Sequence, residues 1–296
     1  MMVRDFLVKA YSTVNQGRYL QTDWARRQFT RAYFRYKRHM DPLHANLVRR
    51  HPGLFRGGPV IDVGANIGYT SILFASAADP RFRVYAFEPE QRNFDMLRCT
   101  IRSSRYREQI VAVRAAVGQQ DGVVELLPNN TSHAEHRVVT PAFKARGAFS
   151  DLTTVPSVSL DSFLAREQVR PLPCFVKVRV LGYELPVCLG LQRTLDAASQ
   201  LVIALAYTPD VMKALGFDPS ELIELFEQKG FAFYAISESG TLYPIPVPRR
   251  DLGRMMAHPS LSVKSQVPRP GPGLNLESVD RPGYLELLVS KKPLAI

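Results

Sequence analysis

The chain has 296 residues, of which 46% are hydrophobic and 22% charged, a composition typical of a globular protein with its own core. Its three cysteines form no C-x-x-C pair, which excludes a disulfide framework and a cysteine-rich zinc site and favours a reducing compartment. No apolar run approaches the roughly 18–20 residues of a membrane span, and the first residues lack the pattern of a secretory signal. We therefore expect a soluble, cytoplasmic protein.

The net charge of +11 is unevenly distributed along the chain. Residues 1–58 contain 12 Lys/Arg and 3 Asp/Glu, a net +9, which leaves +2 for residues 59–296. The basicity therefore belongs to an N-terminal arm, residues 1–58, which we predict to be helical and rich in aromatic side chains.

Aromatic residues and arginines alternate over residues 11–36 of this arm. Three interpretations fit the pattern. The arm is a helical cover packed on the core, or a surface that binds a membrane or another anionic partner, or a nucleic-acid surface. Nucleic acid is the least favoured partner, because no RNA-binding motif accompanies the pattern.

Short apolar runs alternate with helical periodicity from residue 59 to residue 243. Runs that are apolar on both faces and separated by helices predict a parallel sheet covered on both sides, so we predict a doubly wound α/β domain over residues 59–243. The predicted strands are Val60–Val63, Arg83–Phe87, Ile110–Ala115, Gly122–Leu127, Phe175–Val180, Leu201–Ala206 and Phe231–Ser237. The predicted helices cover residues 68–78, 90–103, 161–168, 184–198 and 219–229.

Proline dominates the segment that follows this domain. Residues 244–283 contain 8 of the chain's 22 prolines, which predicts a loop or lid without regular structure. The run Tyr284–Val289 then predicts a final strand, within a last segment of residues 284–296.

The most informative segment joins the first predicted strand to the first predicted helix. It carries Asp62, Gly64, Asn66 and Gly68 in the pattern D-x-G-x-N-x-G. A dinucleotide fingerprint would need glycines at 64, 66 and 69 instead. An acidic residue two positions before the first glycine repels a pyrophosphate, whereas it suits a cationic ligand such as S-adenosylmethionine (SAM).

The next predicted strand ends at Glu88, twenty residues after Gly68. A carboxylate at this strand end can accept hydrogen bonds from both ribose hydroxyls of an adenosine. We therefore predict a SAM site formed by Asp62, Gly64, Asn66, Gly68 and Glu88. The alternatives are a nicotinamide dinucleotide, which the glycine spacing disfavours, and a turn that binds no ligand.

Five segments of the chain resemble the FkbM family of SAM-dependent methyltransferases. They are VIDVGANIGYTSILFA, VYAFEPEQRNFDMLRCTI, AAVGQQDGVVEL, VPSVSLDSFL and KVRVLGYELPVCLGL, and the resemblance covers about residues 58–240. It implies the class I methyltransferase fold, which is Rossmann-like, with a mostly parallel sheet and an antiparallel last strand, here Tyr284–Val289. It also implies SAM as cofactor and O-methylation of a hydroxyl on a small molecule, saccharide or lipid.

The acceptor side departs from the family's pattern. The family segment K-I-D-V-E-G-x-E is here K-V-R-V-L-G-Y-E, so Arg179 and Leu181 replace two acids. The next strand carries a glutamate in the family, and here it has only apolar residues around Ala204. Either the enzyme is active on an anionic acceptor held by Arg179, or the protein binds SAM without catalysis and acts as a regulatory or scaffold protein. An RNA methyltransferase is a third interpretation, which depends only on the basic arm.

Methyl transfer to a hydroxyl needs a base that removes the proton. The candidates on the acceptor segment are Lys177 and Glu184, beside Arg179 as an anion clamp. Each also has a structural explanation, since a buried lysine fits an ion pair and a carboxylate suits a helix start. His133 and His136 are further candidates, but they lie in a polar loop without helical spacing, so we expect no metal site.

Overall fold

The computed structural model describes residues 22–128, 136–147, 149, 151–246 and 285–294. The helices in this part of the chain are α1 Asp23–Met40, α2 Leu43–Arg50, α3 Tyr69–Ala77, α4 Gln91–Arg102, α5 Pro141–Lys144, α6 Leu160–Arg166, α7 Glu184–Leu189, α8 Gln192–Ala197, α9 Pro209–Ala214 and α10 Pro219–Gln228. The strands are β1 Val60–Val63, β2 Val84–Phe87, β3 Ile110–Val113, β4 Ala116–Val117, β5 Gly122–Leu127, β6 Arg137–Val139, β7 Thr153–Val158, β8 Phe175–Val178, β9 Val202–Tyr207, β10 Ala232–Ile236, β11 Leu242–Ile245 and β12 Leu285–Ser290.

The main sheet has the strand order β11-β10-β12-β9-β8-β1-β2-β3. Strands β9, β8, β1, β2 and β3 pair in parallel, and β12 lies antiparallel between β9 and β10. The prediction of a doubly wound, mostly parallel sheet with an antiparallel last strand is therefore confirmed. This order places the ends of β1, β2 and β8 side by side, where the glycine turn begins.

A second, smaller sheet has the order β4-β7-β5-β6. The predicted strand Gly122–Leu127 is β5, but its assignment to the doubly wound sheet is wrong, because it belongs to this second sheet. Its residues are mostly exposed or half-buried, and Val123 is 71% exposed. A strand covered by helices on both faces does not expose its side chains in this way.

Hydrophobic clusters cover both faces of the main sheet, since successive side chains of a strand point to opposite sides. On one face, Phe55, Phe74 and Phe175 are fully buried, with ring centroids 4.4–5.3 Å apart. Leu43 and Leu47 of α2 belong to the same cluster. Residues 43–55 of the arm thus share a hydrophobic core with the main sheet. The predicted division at residue 58, between the arm and the α/β domain, stays a prediction.

Two predicted boundaries are wrong in detail. The proline-rich segment was expected to be irregular from residue 244, yet Pro244 and Ile245 continue β11. A proline is tolerated there because β11 is an edge strand with one unpaired side. The helix predicted over 184–198 is two helices, which separate at Gly190, where an added Cβ would lie 2.1 Å from the Gly118 carbonyl oxygen. Residues 247–284, including Tyr284, lie outside the described residues.

Replacing Leu47 by alanine tests whether the arm covers the core. We expect the free energy of unfolding to fall by about 2–5 kcal/mol, because Leu47 is fully buried and its removal leaves a cavity. The matched control is Trp24→Ala on the same arm, which is 67% exposed and should change stability by less than about 0.5 kcal/mol. Urea denaturation measures both, and a neutral Leu47→Ala would show that the arm does not contribute to the core.

Candidate functional site

An open cleft of about 600 Å³ lies at the carboxyl ends of β1, β2 and β8. Gly64 and Asn66 of the glycine turn line it, together with Glu88 at the end of β2 and Arg179 and Tyr183 after β8. The structure thus brings together most of the residues that the sequence assigned to a ligand site.

The glycine turn has a backbone that requires its residue types. Gly64, Asn66 and Gly68 have φ values of +76°, +53° and +95°, in the left-handed region that glycine and asparagine tolerate best. An added Cβ at Gly64 would lie 2.3 Å from the carbonyl oxygen of Arg179. Gly64 therefore allows the turn to pack directly on the backbone that follows β8.

Glu88 connects this turn to β2. Its side chain accepts hydrogen bonds from the backbone N–H of Asn66 at 2.9 Å and of Glu90 at 3.0 Å. Burial raises the pKa of Glu88 to about 7. An ionised carboxylate offers about four acceptor positions, so two remain for a ligand in the cleft.

Asp62 lies behind the turn and does not line the cleft. Its Oδ1 accepts from the Nζ of Lys177 at 2.9 Å, and its Oδ2 accepts from the hydroxyls of Thr70 and Ser71, both at 2.7 Å. The two residues of the ion pair are direct neighbours on β1 and β8, and both are buried. Lys177 also donates to the carbonyls of Val63 at 3.2 Å and Gly64 at 2.8 Å. Asp62 and Lys177 therefore hold the start of the glycine turn from inside the fold.

Glu184 holds the loop after β8 in a similar way. It is fully buried, and its oxygens accept from the backbone N–H of Val180 at 3.1 Å and of Gly182 at 2.8 Å. The hydroxyl of Thr208 donates to it at 3.4 Å. Burial raises the pKa of Glu184 to about 7. Glu184 does not line the cleft, and its contacts fix the loop that carries Leu181, whose φ is +50°.

Arg179 stands between the cleft and two carboxylates. Its Nη1 lies 3.0 Å from Glu286 Oε1 on β12 and 3.9 Å from Asp41 Oδ2 at the end of α1. Glu286 pairs in register with Ala206 of β9, so the arginine reaches across that strand where it has only a methyl group. An acid is therefore present beside this site, on β12 instead of β8 or β9.

The sequence analysis missed Glu286. The signal that could have found it is a single charge in the apolar run Leu285–Val289. A charge in a buried strand needs a partner of opposite charge. Arg179, a cation in place of an acid of the family pattern, was the candidate partner for Glu286. Buried His44 lies near the same groups, and desolvation lowers its pKa to about 4, so it adds no charge to them at neutral pH.

His136 lines the opposite part of the cleft. Its Nε2 lies 3.8 Å from Glu90 Oε2, and burial lowers the pKa of the imidazole. The other candidate histidine, His133, lies outside the described residues. Within the described ranges no group of His, Cys, Asp and Glu is arranged to hold a metal ion, and no helix is long and apolar enough to cross a membrane.

Comparison with known proteins places the chain in a family. The sequence model of the methyltransferase FkbM domain matches residues 62–233, more than half of the chain. The chain therefore belongs to the FkbM methyltransferase family, and the resemblance inferred from its motifs is confirmed.

A curated relative is the hexuronic acid methyltransferase AglP of Haloferax volcanii, 27% identical over 168 residues. The match covers 56% of this chain and 60% of AglP, so the chain spans less than two thirds of that relative's length.

Two solved structures are also similar. The FkbM methyltransferase of Methylobacillus flagellatus KT is 16% identical, with a TM-score of 0.40 over 60% of this chain and 40% of its own. The O-methyltransferase of Bacillus cereus in complex with SAH is 13% identical, with a TM-score of 0.39 over 83% of this chain and 79% of its own. Both TM-scores lie below 0.5, so neither likeness carries an inference about the site.

The buried ion pair can be tested by a double-mutant cycle. Lys177→Met leaves Asp62 buried without its cation, so we expect the free energy of unfolding to fall by about 3–5 kcal/mol. The second single variant is Asp62→Asn. The double variant Asp62→Asn/Lys177→Met removes both charges and should recover part of the stability that Lys177→Met loses. Urea denaturation of the two single variants and the double variant gives the coupling energy, and strictly additive losses would contradict a direct ion pair.

Proposed function

We propose that this chain is a SAM-dependent methyltransferase that methylates an oxygen of a saccharide. The observation that carries the proposal is the position of Glu88. In a chain of the FkbM methyltransferase family, its carboxylate lines the cleft beside the glycine turn, at the end of the strand next to β1. A carboxylate at this position suits the two ribose hydroxyls of an adenosine.

The residues of the cleft fit SAM in their chemistry. Glu88 would accept hydrogen bonds from the ribose, and the turn over residues 64–68 would lie against the rest of the molecule. When bound, SAM supplies a methyl group already activated on a positively charged sulfur. Asp62 and Lys177 contribute indirectly, by holding the turn in place.

Arg179 raises an electrostatic question, because a guanidinium stays protonated and repels a cationic methyl donor. The carboxylates of Glu286 and Asp41 offset this charge, at 3.0 and 3.9 Å from its Nη1. Arg179 therefore does not prevent binding of a sulfonium. The same carboxylates compete with an anionic acceptor, so we favour a hydroxyl of the saccharide as the methyl acceptor over its carboxylate.

The proton of that hydroxyl needs an acceptor. Of the described residues that line the cleft, His136 fits this role, because its lowered pKa keeps the imidazole neutral at pH 7. After it takes the proton, Glu90 at 3.8 Å stabilises the imidazolium. Glu184 and Lys177 are positioning residues in this scheme, since neither Glu184 nor Lys177 lines the cleft. The name of AglP, a hexuronic acid methyltransferase, supports a saccharide acceptor.

Glu88 gives the first test. Glu88→Ala removes charge-assisted hydrogen bonds to the ribose. We therefore expect the binding free energy of SAM to weaken by about 1.5–3 kcal/mol, which raises the Kd roughly 10- to 150-fold. Glu108→Ala, an 89% exposed glutamate, is the matched control and should leave the Kd unchanged. Isothermal titration calorimetry measures both. No heat with the wild type, or equal affinities for the two variants, would overturn the assignment.

The pH dependence of SAM binding follows from the same residue. The pKa of Glu88 is about 7 in the free protein, and only the ionised form accepts two ribose hydrogen bonds. We therefore expect SAM binding to strengthen between about pH 6 and pH 8. Glu88→Gln should flatten this part of the profile, while Glu108→Gln should not. A wild-type profile that stays flat through pH 7 would contradict the role of Glu88.

Catalysis is tested with methyl-labelled SAM and a panel of saccharides, including a hexuronic acid and the corresponding neutral sugar. We expect label in an ether, which resists mild base, and a loss of about 10²- to 10⁴-fold in kcat for His136→Asn with little change in the Kd for SAM. Label in a base-labile ester would identify the carboxylate as acceptor instead. SAM binding without transfer to any saccharide would favour the alternative of a catalytically impaired regulatory or scaffold protein.

A further inference from the structure

A second cavity, open to solvent, lies between α1 and the end of α4. Arg27, Thr30, Arg31 and Phe34 line it from α1, at positions that share one face of that helix. Thr100 lines it from α4. None of the residues around this cavity lines the cleft at the glycine turn, so the two are separate sites.

Two hydroxyls in the wall of this cavity have no hydrogen-bond partner. Thr30 and Thr100 are 8% and 7% exposed, and the Oγ1 atom of each is buried without a partner among the described residues. Buried polar atoms in native proteins are almost always satisfied, so each orphaned hydroxyl needs an explanation. A ligand with acceptor oxygens in the cavity would supply one to either hydroxyl once that hydroxyl rotates toward the cavity.

The charges around the cavity favour an anion. Arg27 and Arg31 lie one helical turn apart, an arrangement in which like charges repel each other. Among the residues whose side chains the structure describes, no aspartate or glutamate lines the cavity. The carboxyl end of α4 contributes only about half a negative charge, against two full positive charges from the arginines.

The shape of the donors narrows the anion further. An arginine presents a planar fork of N–H groups that matches the oxygens of a phosphate, and two arginines with two hydroxyls offer more donors than a single carboxylate can use. Phe34 and Ile72 add an apolar wall that can cover the carbon part of a larger ligand. The arm's alternation of arginines and aromatics, which the methyltransferase site does not use, thus has a place in this cavity.

We propose that the cavity between α1 and α4 binds a phosphate group, either as a free ion or small phosphate ester, or as the headgroup of an anionic lipid. The phosphate oxygens accept from the guanidinium groups of Arg27 and Arg31 and from the hydroxyls of Thr30 and Thr100. No covalent step is involved. The site sits on the arm, so it gives the methyltransferase domain a second binding surface apart from its cleft.

The test uses the full chain and two probes. Inorganic phosphate is titrated by calorimetry, and vesicles of phosphatidylcholine with or without phosphatidic acid are assayed by cosedimentation. The variants are Arg27→Gln/Arg31→Gln, and Thr100→Val, which removes the hydroxyl at nearly constant volume. The control is Arg35→Gln/Arg98→Gln, which also removes two positive charges, one from α1 and one from α4, at residues that do not line the cavity.

We expect the double arginine variant to weaken binding of at least one probe by about tenfold or more, and Thr100→Val to weaken it several-fold. The control should retain most of the binding. Binding of phosphate indicates a free ion or ester, and binding of phosphatidic acid vesicles alone indicates a lipid headgroup. The proposal is overturned if neither probe binds, or if the control loses as much as the cavity variants, which would indicate only a basic surface.

SAM affinity is measured in parallel in every variant. It should not change, because the cavity residues do not line the cleft. A wild-type chain that binds phosphate and not SAM would refute the proposed methyltransferase function and leave this inference standing. A single-stranded oligonucleotide is the last probe. Cavity variants that still bind the oligonucleotide but no longer bind phosphate would show that the cavity is a phosphate site and that nucleic acid binds elsewhere on the chain.

Discussion

The site depends on one buried ion pair, between Asp62 on β1 and Lys177 on β8. Burying two charges is costly, and such a pair is tolerated only when the remaining donors and acceptors are also satisfied. Here the three donors of the ammonium have Asp62 and two backbone carbonyls, and the second carboxylate oxygen has the hydroxyls of Thr70 and Ser71. The glycine turn begins at this point, so its conformation is set before any ligand is bound.

Three further contacts transmit that constraint to the cleft. Gly64 packs on the backbone of Arg179 where a side chain has no room. The backbone N–H of Asn66 donates a hydrogen bond to Glu88, which fixes the carboxylate where it is proposed to contact the ribose. Glu184 then holds the loop after β8 from below. A pre-formed cleft reduces the ordering that a ligand must cause when it binds, which favours affinity.

Charge on the acceptor side is balanced by elements that are distant in sequence. Arg179 follows β8, Asp41 ends α1 and Glu286 lies on β12, yet they meet beside the cleft. The helices of the arm and the last strand are therefore connected to the wall of the cleft and do not merely surround it. This explains how an arginine can occupy a position that carries an acid in the family segment it resembles, without leaving an uncompensated cation beside the proposed SAM site.

Local patterns predicted the elements that are long, buried and periodic. Strands β1, β2, β8 and β9 were found because both of their faces are apolar, and the turn at Gly64 was found because its residues are adjacent in sequence. The pair Asp62–Lys177 could not be paired from the sequence, since 115 residues separate the two and only the sheet order makes them neighbours. In the second sheet, β4 and β6 have only two and three residues, too few for any periodicity. The six residues of β7, TTVPSV, include three polar side chains and Pro156, which hide its strand pattern, so this sheet was missed.

The central claim is that the ion pair holds the glycine turn in the conformation that forms the cleft. Amide hydrogen exchange over residues 64–68 measures this directly, because the amides of Gly64, Ala65, Asn66 and Gly68 all donate hydrogen bonds in the folded chain. We compare the wild type with Lys177→Met and with the milder Ser71→Ala. The account predicts faster exchange in the turn of both variants, with unchanged protection in β10 and β12. Turn amides that exchange at wild-type rates in a folded Lys177→Met protein would contradict it.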